Sequence, residues 1–496
     1  MSGMNRKNVK KLNPFIMLVN ELSKNIINIT KGFIVTNHTS KINSMEPINK
    51  NVAGIDIGAY SIFICAGLEN GQRPVREYLT FTADLKAAAV WLGECGVKSV
   101  AMESTGSYWI STYEILEDAG FEVLLVNAHH LRTVPGRKTD VKDCQWIQQL
   151  HSFGLLRGSF RPNSNGVTLR TYVRQRCKLV ELGSTQIHLM TKALIQMNIR
   201  LDEVFSEISG VSSLAIIRAI LAGERDPNVL VKFRNVRCKK TVNEVIKSLD
   251  GNYLQEHLFS LKQSLDAYDF IHTQLVECDA EIQKFLEDLE GLKGTVENSE
   301  ELEVIDNKIG KTKKKKNKKN SYSFDAGMLL KKHVGVDLTD IPGIDANLAM
   351  KIIAEIGSNV DSWKTAKNFT SWLGLCPGNK ISGGKVLSSK TIPIVNRAKQ
   401  AFLLAANTLY RSETALGGFF RRMRAKLGTP KAITATAHKI AKIVYHMINT
   451  SKSYKDIGQE AYENKFKQRR LANLKRMASE MGFSLQALEE PESQVA

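Results

Sequence analysis

The sequence predicts an α/β layered domain, then a pair of long helices, then a mainly α-helical carboxy-terminal block. Three observations carry that expectation. Between residues 51 and 162, short apolar runs alternate with segments of helical spacing. Residues 167–197 and 254–289 keep helical periodicity without an internal proline. From about 334 to 450, turn signals separate further helical patterns.

In order, 52–57 reads as a buried strand and 61–68 as a second strand after a turn at Gly58. Residues 75–81 read as a third strand after Asn70-Gly71, a hairpin-type dipeptide. Residues 85–95 are apolar at helical spacing, 97–102 form a strand, 109–119 a helix and 122–126 another strand. Thr139 stands at the cap position of a helix over 140–153. A hairpin leading into βα units is an α/β layered fold. Along 254–289, Leu254, Leu258, Leu261, Leu265, Tyr268, Ile271 and Leu275 recur at three and four. That pattern fits an antiparallel arm, a coiled-coil interface or a plain helical spacer. Near 338–357, Ile341-Pro-Gly343 reads as a turn that opens a helix, a terminus suited to a phosphate and similar to a helix-hairpin-helix.

The expected division is 1–50 as a disordered extension, 51–164 as the α/β domain and 165–290 as a helical assembly domain. It continues with 291–330 as a flexible lysine-rich linker, 331–452 as the carboxy-terminal domain and 453–496 as a charged helical tail. The linker holds seven lysines in the nine residues 311–319, a like-charge block expected to be disordered.

Composition narrows the function. The chain has 496 residues, with 69 Lys+Arg against 50 Asp+Glu, a formal charge of +19 and a pI near 9.5. That excess points to a polyanion, of which nucleic acid is the usual one. The 43% hydrophobic content excludes wholesale disorder. No run approaches the ~18 apolar residues of a membrane span, and no signal core is visible, so the expectation is a soluble, cytoplasmic protein with no membrane partner. The seven cysteines form no C-x-x-C pair, which excludes a zinc ribbon and leaves ordinary reduced thiols.

Four carboxylates stand out. Gly54-Ile-Asp-Ile-Gly58 puts Asp56 at a strand end, where a buried charge needs a partner. Ala101-Met-Glu-Ser-Thr-Gly106 puts Glu103 just past another strand. Arg137-Lys-Thr-Asp-Val-Lys-Asp143 puts Asp140 and Asp143 three apart on a helix start, hence on one face. Taken singly, each also reads as a strand-end cap, a turn residue or a helix cap; the ordered set is more specific. Such a sheet brings strand ends and helix start to one edge. Oxygen ligands suit Mg²⁺, with Mn²⁺ the alternative, and two such ions flanking a phosphodiester assist its cleavage. The Gly54–Gly58 run also occurs at the start of sugar kinases and actin-like ATPases, but no duplicated phosphate loop follows here.

A second candidate is Ile381-Ser-Gly-Gly-Lys385. Glycines beside Ser382 would admit a phosphate, and Lys385 and Lys390 would balance its charge. No histidine nearby offers a base, so a nucleophilic Ser382 would need the carboxylate site brought to it. A polar glycine loop is the alternative. Phe419-Phe-Arg-Arg-Met-Arg424 interleaves aromatics with Arg421, Arg422 and Arg424, as phosphate contact and stacking require; a solvated basic helix face is the alternative. Arg137 and Lys138 also count as candidate nucleic-acid contacts. His438 and His446 read as packing or surface residues.

Together, Gly54–Gly58, Met102-Glu-Ser-Thr-Gly106, Arg137–Asp143, Ile381–Lys390 with Asn396-Arg-Ala398, and Lys431-Ala-Ile-Thr-Ala-Thr-Ala-His438 resemble the DEDD transposases of the insertion-sequence one-ten family. The resemblance covers about 51–290 and 330–450. It implies an RNase H-like (RuvC-like, Holliday-junction-resolvase-like) domain with a metal site at Asp56, Glu103, Asp140 and Asp143. It further implies a coiled-coil arm and a carboxy-terminal transposase domain whose serine, here Ser382, becomes transiently linked to DNA. Its implied partners are double-stranded donor and target DNA, a structured noncoding guide RNA, and further copies of the chain, from dimer to tetramer. A structure-selective junction endonuclease and a non-catalytic nucleic-acid-binding protein are the alternative functions.

Overall fold

In the computed structural model, residues 47–104, 106–127, 140–293, 320–391 and 393–486 are described. The expectations for the first 46 residues and the lysine-rich stretch lie outside them. The chain divides into two units, residues 1–161 and 162–496.

The first unit is built on a five-stranded mixed sheet. Strands β1 (Val52–Ile57), β2 (Ser61–Ala66) and β3 (Val75–Leu79) form an antiparallel meander, and β4 (Ser99–Glu103) and β5 (Glu122–Val126) add in parallel on the other side of β1. The order is β3-β2-β1-β4-β5, which fits an RNase H-like sheet. β2 ends two residues before the sequence expectation because the chain turns there, with Gly71 N–H donating to the Leu68 carbonyl. Helix α1 (Thr82–Glu94) starts a turn earlier than its apolar spacing implied.

Alternation along the strands assigns the two faces. Ala53, Ile55 and Ile57 of β1, with Ile62, Ile64, Val100, Met102 and Leu125, pack on α1 and on α2 (Trp109–Asp118). Each of the Val, Ile, Leu and Met side chains among them contributes about 1.5–3 kcal/mol on burial. The opposite face carries α3 (Asp140–Ser152), whose Cys144 and Ile147 sit against Cys65, Val75, Ala101 and Val126. α3 lies close to β1 because residue 54 is glycine: a Cβ there would collide with the backbone of Cys144 and Gln148.

The second unit is mainly helical. Asn163 caps α4 (Ser164–Gln196) by accepting from the Gly166 N–H. α4 runs antiparallel to the 39-residue α7 (Gln255–Lys293), and Leu258, Leu261, Leu265 and Ile271 are buried while Leu254 is exposed. Between them, α5 (Val211–Leu221) and α6 (Val242–Ser248) close a small core around Ile216, Ile217, Leu230 and Val245. Midway, Arg176 of α4 and Asp279 of α7 form a buried ion pair. Arg176 also stacks on Tyr322 at 3.8 Å and donates to the Asn320 and Ser321 carbonyls, while Ser323 N–H donates to Asp279. Both members of the pair thus have further hydrogen bonds, the condition under which buried charge is tolerated, and these tie the chain at residues 320–323 to the helix pair.

Helices α8 (Ala326–Val334), α9 (Ala346–Ile356) and α10 (Ala366–Trp372) follow, then a two-stranded ribbon of β6 (Lys380–Ser382) and β7 (Lys385–Ser388). Helices α11 (Arg397–Thr408), α12 (Ala415–Leu427), α13 (Thr429–Thr450) and α14 (Gln459–Glu480) complete the unit. Trp363, Phe369, Phe402 and Tyr445 form an aromatic core, with Tyr445 Oη donating to the Trp363 carbonyl at 2.8 Å. Arg170 and Arg174 reach from α4 to the end of α9, where Arg174 binds both oxygens of Glu355 at 2.8 Å. The Ile341–Gly343 turn has a packing reason: Gly343 adopts φ +93° and lies so near the Ala405 carbonyl that a Cβ would stand 2.6 Å from it. The start of α9 is capped by the Asp345 carboxylate, which accepts from Leu348 N–H, so that terminus already holds an anion. Among the described residues no helix is long and apolar enough to cross a membrane.

Candidate active site

Asp56 occupies the second-last position of β1, on the face covered by α3. Gly54 admits α3 against the strand, and Cys144 and Ile147 pin the helix down. The first turn of α3 therefore stands at the carboxyl end of β1. Asp56, Asp140 and Asp143 each bring a carboxylate oxygen within 4.8 Å of the others, with Asp56 and Asp143 half-buried and Asp140 exposed. The amino terminus of α3 supplies a favourable field for two of these charges.

Glu103 is the last residue of β4 and lies outside that trio. The parallel register Ile55↔Met102 makes Asp56 and Glu103 equivalent positions on adjacent strands, hence on the same face of the sheet. Arg137 and Lys138 lie outside the described residues.

The neighbouring thiols are not ligands of choice. Burial pushes Cys65 up to about 12 and also raises Cys144, with Cys65, Asp56 and Asp143 adding to the latter. Both therefore stay protonated near neutrality. The donor set is three carboxylates, the hard oxygen chemistry that fits Mg²⁺ or Mn²⁺.

Ser382 belongs to the second unit, at the tip of the ribbon. Gly383 and Gly384 take φ +53° and +76° and form the two-residue loop, so their glycine requirement is that of a tight hairpin turn. Ser382 pairs directly with Lys385, and Ile381 with Val386. Alternation thus gives the ribbon a polar face of Lys380, Ser382 and Lys385 and an apolar face of Ile381 and Val386, all exposed. Lys390 lies at the ribbon base, where its carbonyl accepts from Gly378 N–H. The ribbon itself has no histidine or carboxylate.

The α12 arginines divide. Arg421 is an internal tether, donating to the Tyr410 and Ser412 carbonyls and to Gln459 Oε1. Arg422 is half-buried over the Phe466 ring at 3.9 Å. Arg424 is exposed, and its hydrogen bond lowers the pKa of Tyr410. Lys439 of α13, which no motif in the sequence singles out, lies 4.4 Å from the centre of the Phe419 ring. Its signal was weak, because nothing local distinguishes it from other lysines on an amphipathic helix.

Two family models match, in chain order. A DEDD-type transposase model (IS110) covers residues 53–199, and the model described as transposase IS116/IS110/IS902 family covers residues 337–420. No curated protein matches the chain. The first match spans the acidic edge of the sheet and the second spans the serine ribbon, and the chain belongs to the IS110 family of transposases, enzymes that process DNA.

Proposed function

We propose that this transposase is a metal-assisted, site-specific recombinase in which Asp56, Glu103, Asp140 and Asp143 form the metal site and Ser382 is the nucleophile. The observation that carries the reading is the convergence of Asp56, Asp140 and Asp143 from two elements far apart in sequence. When bound, Mg²⁺ or Mn²⁺ supplies Lewis-acid polarisation of a phosphodiester. The carboxylates orient that phosphate at the sheet edge. Ser382 Oγ, next to the Gly383–Gly384 turn, attacks phosphorus; its new P–O bond replaces the bond to one sugar oxygen, which leaves as the free hydroxyl of the cut strand while the serine proton is given up to solvent, so the phosphodiester bond energy is kept in a serine–DNA link. Lys385, on the same ribbon face, and Lys390 stabilise the charge that builds on the phosphate. Arg137, Lys138, Arg421, Arg422 and Arg424 belong to the proposed nucleic-acid contacts, with Arg424 the most outward of the three on α12.

The same proposal takes 51–164 as the catalytic domain, 165–290 as a coiled-coil assembly arm, 291–330 as a linker, 331–452 as the serine-bearing domain with a helix-hairpin-helix-like segment and 453–496 as a basic tail. It includes a structured noncoding guide RNA that selects the DNA and assembly up to a tetramer.

The test is strand exchange on donor and target duplexes with the co-expressed flanking RNA and Mg²⁺. Wild type is expected to trap a covalent protein–DNA adduct on denaturation, and Ser382→Ala to give neither adduct nor exchange. Full exchange by Ser382→Ala would overturn the serine mechanism and leave the junction-endonuclease reading.

A further inference from the structure

Around Arg422, one of the proposed nucleic-acid contacts, α12, α13 and α14 bring together further cations to which no role has been given. Arg422 of α12 stands over Phe419 at 5.5 Å, Tyr462 at 5.2 Å and Phe466 at 3.9 Å. Lys439 of α13 stands over two of the same rings, Phe419 at 4.4 Å and Tyr462 at 5.0 Å. On α14, Tyr462, Phe466 and Arg469 follow at i, i+4 and i+7 and so share a helix face. Gly418 lets that face close in, since a Cβ there would stand 3.1 Å from the Tyr462 ring.

Two like charges held on the same pair of rings repel. The ring faces offset only about 0.5–1 kcal/mol each. Burial, then Arg422, then Arg469, lower the Lys439 pKa, against a smaller opposing pull from Asp456. Asp456 is itself committed, accepting from Ala415 N–H, Gly458 N–H and Tyr454 Oη. The cluster therefore carries an excess of positive charge in a half-buried setting, which a bridging anion would turn from repulsion into attraction.

We propose that Arg422, Lys439 and Arg469 form a built phosphate-binding site that grips one phosphodiester of a nucleic-acid backbone. The proposal rests on the reading of this unit as nucleic-acid-facing, not on the serine chemistry. The rings keep the cations extended and preorganised, so that binding costs little side-chain entropy. A phosphate contact of this kind positions a strand without reading its sequence.

The test is a salt titration of binding by the full chain, with a random-sequence duplex DNA in one arm and an RNA hairpin in the other. Each phosphate contact contributes about 0.9 to the slope of log affinity against log salt on duplex DNA and about 0.7 on single strands. Lys439→Gln and Arg469→Gln are each expected to lower the slope by part of that single contact, up to about 0.9 on the duplex and about 0.7 on the hairpin, and to weaken binding by up to roughly eightfold near 0.1 M salt. Because Lys439 is half-buried, Arg469→Gln on the exposed helix decides the matter should Lys439→Gln unfold. A change confined to the duplex arm assigns the phosphate to DNA, and one confined to the hairpin assigns it to RNA. An unchanged slope in both arms for a folded Arg469→Gln protein overturns the site. Strand exchange is scored separately with Asp56→Asn, so failure of the catalytic reading leaves the slope intact and is distinguishable.

Discussion

The acidic edge and the serine ribbon are built on opposite principles. Asp56, Asp140 and Asp143 are placed by buried packing: Gly54, Cys144 and Ile147 hold a helix against a sheet, and the carboxylates emerge where that contact ends. Ser382 is placed by turn chemistry on a ribbon whose side chains are exposed on both faces. The first arrangement is as stable as the core beneath it. The second depends on two glycines and a few ladder hydrogen bonds, which permits local opening without unfolding. The contrast teaches that the acidic edge is preorganised by folding, whereas the ribbon that carries Ser382 rests on local turn geometry alone.

The sharpest way to break the comparison is a matched pair of active-site substitutions. Asp56→Asn is expected to lower Mn²⁺ affinity by at least about 100-fold in calorimetry, since even outer-shell changes at metal sites cost 10–100-fold. Ser382→Ala is expected to lose strand exchange with Mn²⁺ affinity unchanged and stability within about 0.5 kcal/mol of wild type. Equal metal affinity in Asp56→Asn would remove that residue from the site.

Next come glycine substitutions of identical chemistry in the two regions. Gly54→Ala forces α3 off β1, an overpacking cost of about 2–3 kcal/mol, visible as a lower denaturation midpoint for the first unit and weaker metal binding. Gly384→Ala sits at φ +76° with open space around it, so its cost is left-handed backbone strain of about 1 kcal/mol. Hydrogen exchange is expected to speed up in residues 380–391 alone. A global loss of stability from Gly384→Ala would contradict the ribbon's independence.

The smallest effect lies at the other end of β4, where Ser99 Oγ and His151 Nε2 are 2.9 Å apart. Burial lowers the His151 pKa, with a smaller upward pull from Glu122. The unfolded chain therefore binds a proton near pH 6.5 that the fold resists. The stabilisation from neutral His151 is present in full above about pH 6.5 and is lost as pH falls from there through the lower folded-state value. His151→Gln should flatten the thermal stability of the first unit between pH 7 and 5.5, by less than about 1 kcal/mol.

Much of this was legible along the chain. The β1 alternation, the placing of Asp140 and Asp143 on one helix face and the two long helices follow from local spacing, because strand and helix periods are properties of a few consecutive residues. Gly54 was legible as part of a motif but not as the point where α3 touches β1, since that requires knowing which helix crosses which strand. The Ile341-Pro-Gly343 turn invited a phosphate, yet Asp345 already caps the following helix and Gly343 abuts Ala405. Arg421 and Arg422 read as a basic helix face in sequence, and only the docking of α14 gives them their partners Gln459 and Phe466.

By itself the sequence determined the fold class, the family and the acidic and serine motifs, because these are written in composition, order and short-range period. Tertiary structure alone decided that three of the four carboxylates converge while Glu103 stands beside them, that the serine glycines make a hairpin, and that Arg422 and Lys439 share the Phe419 and Tyr462 rings. Each depends on which faces are buried against one another, a long-range outcome that no local window of residues encodes.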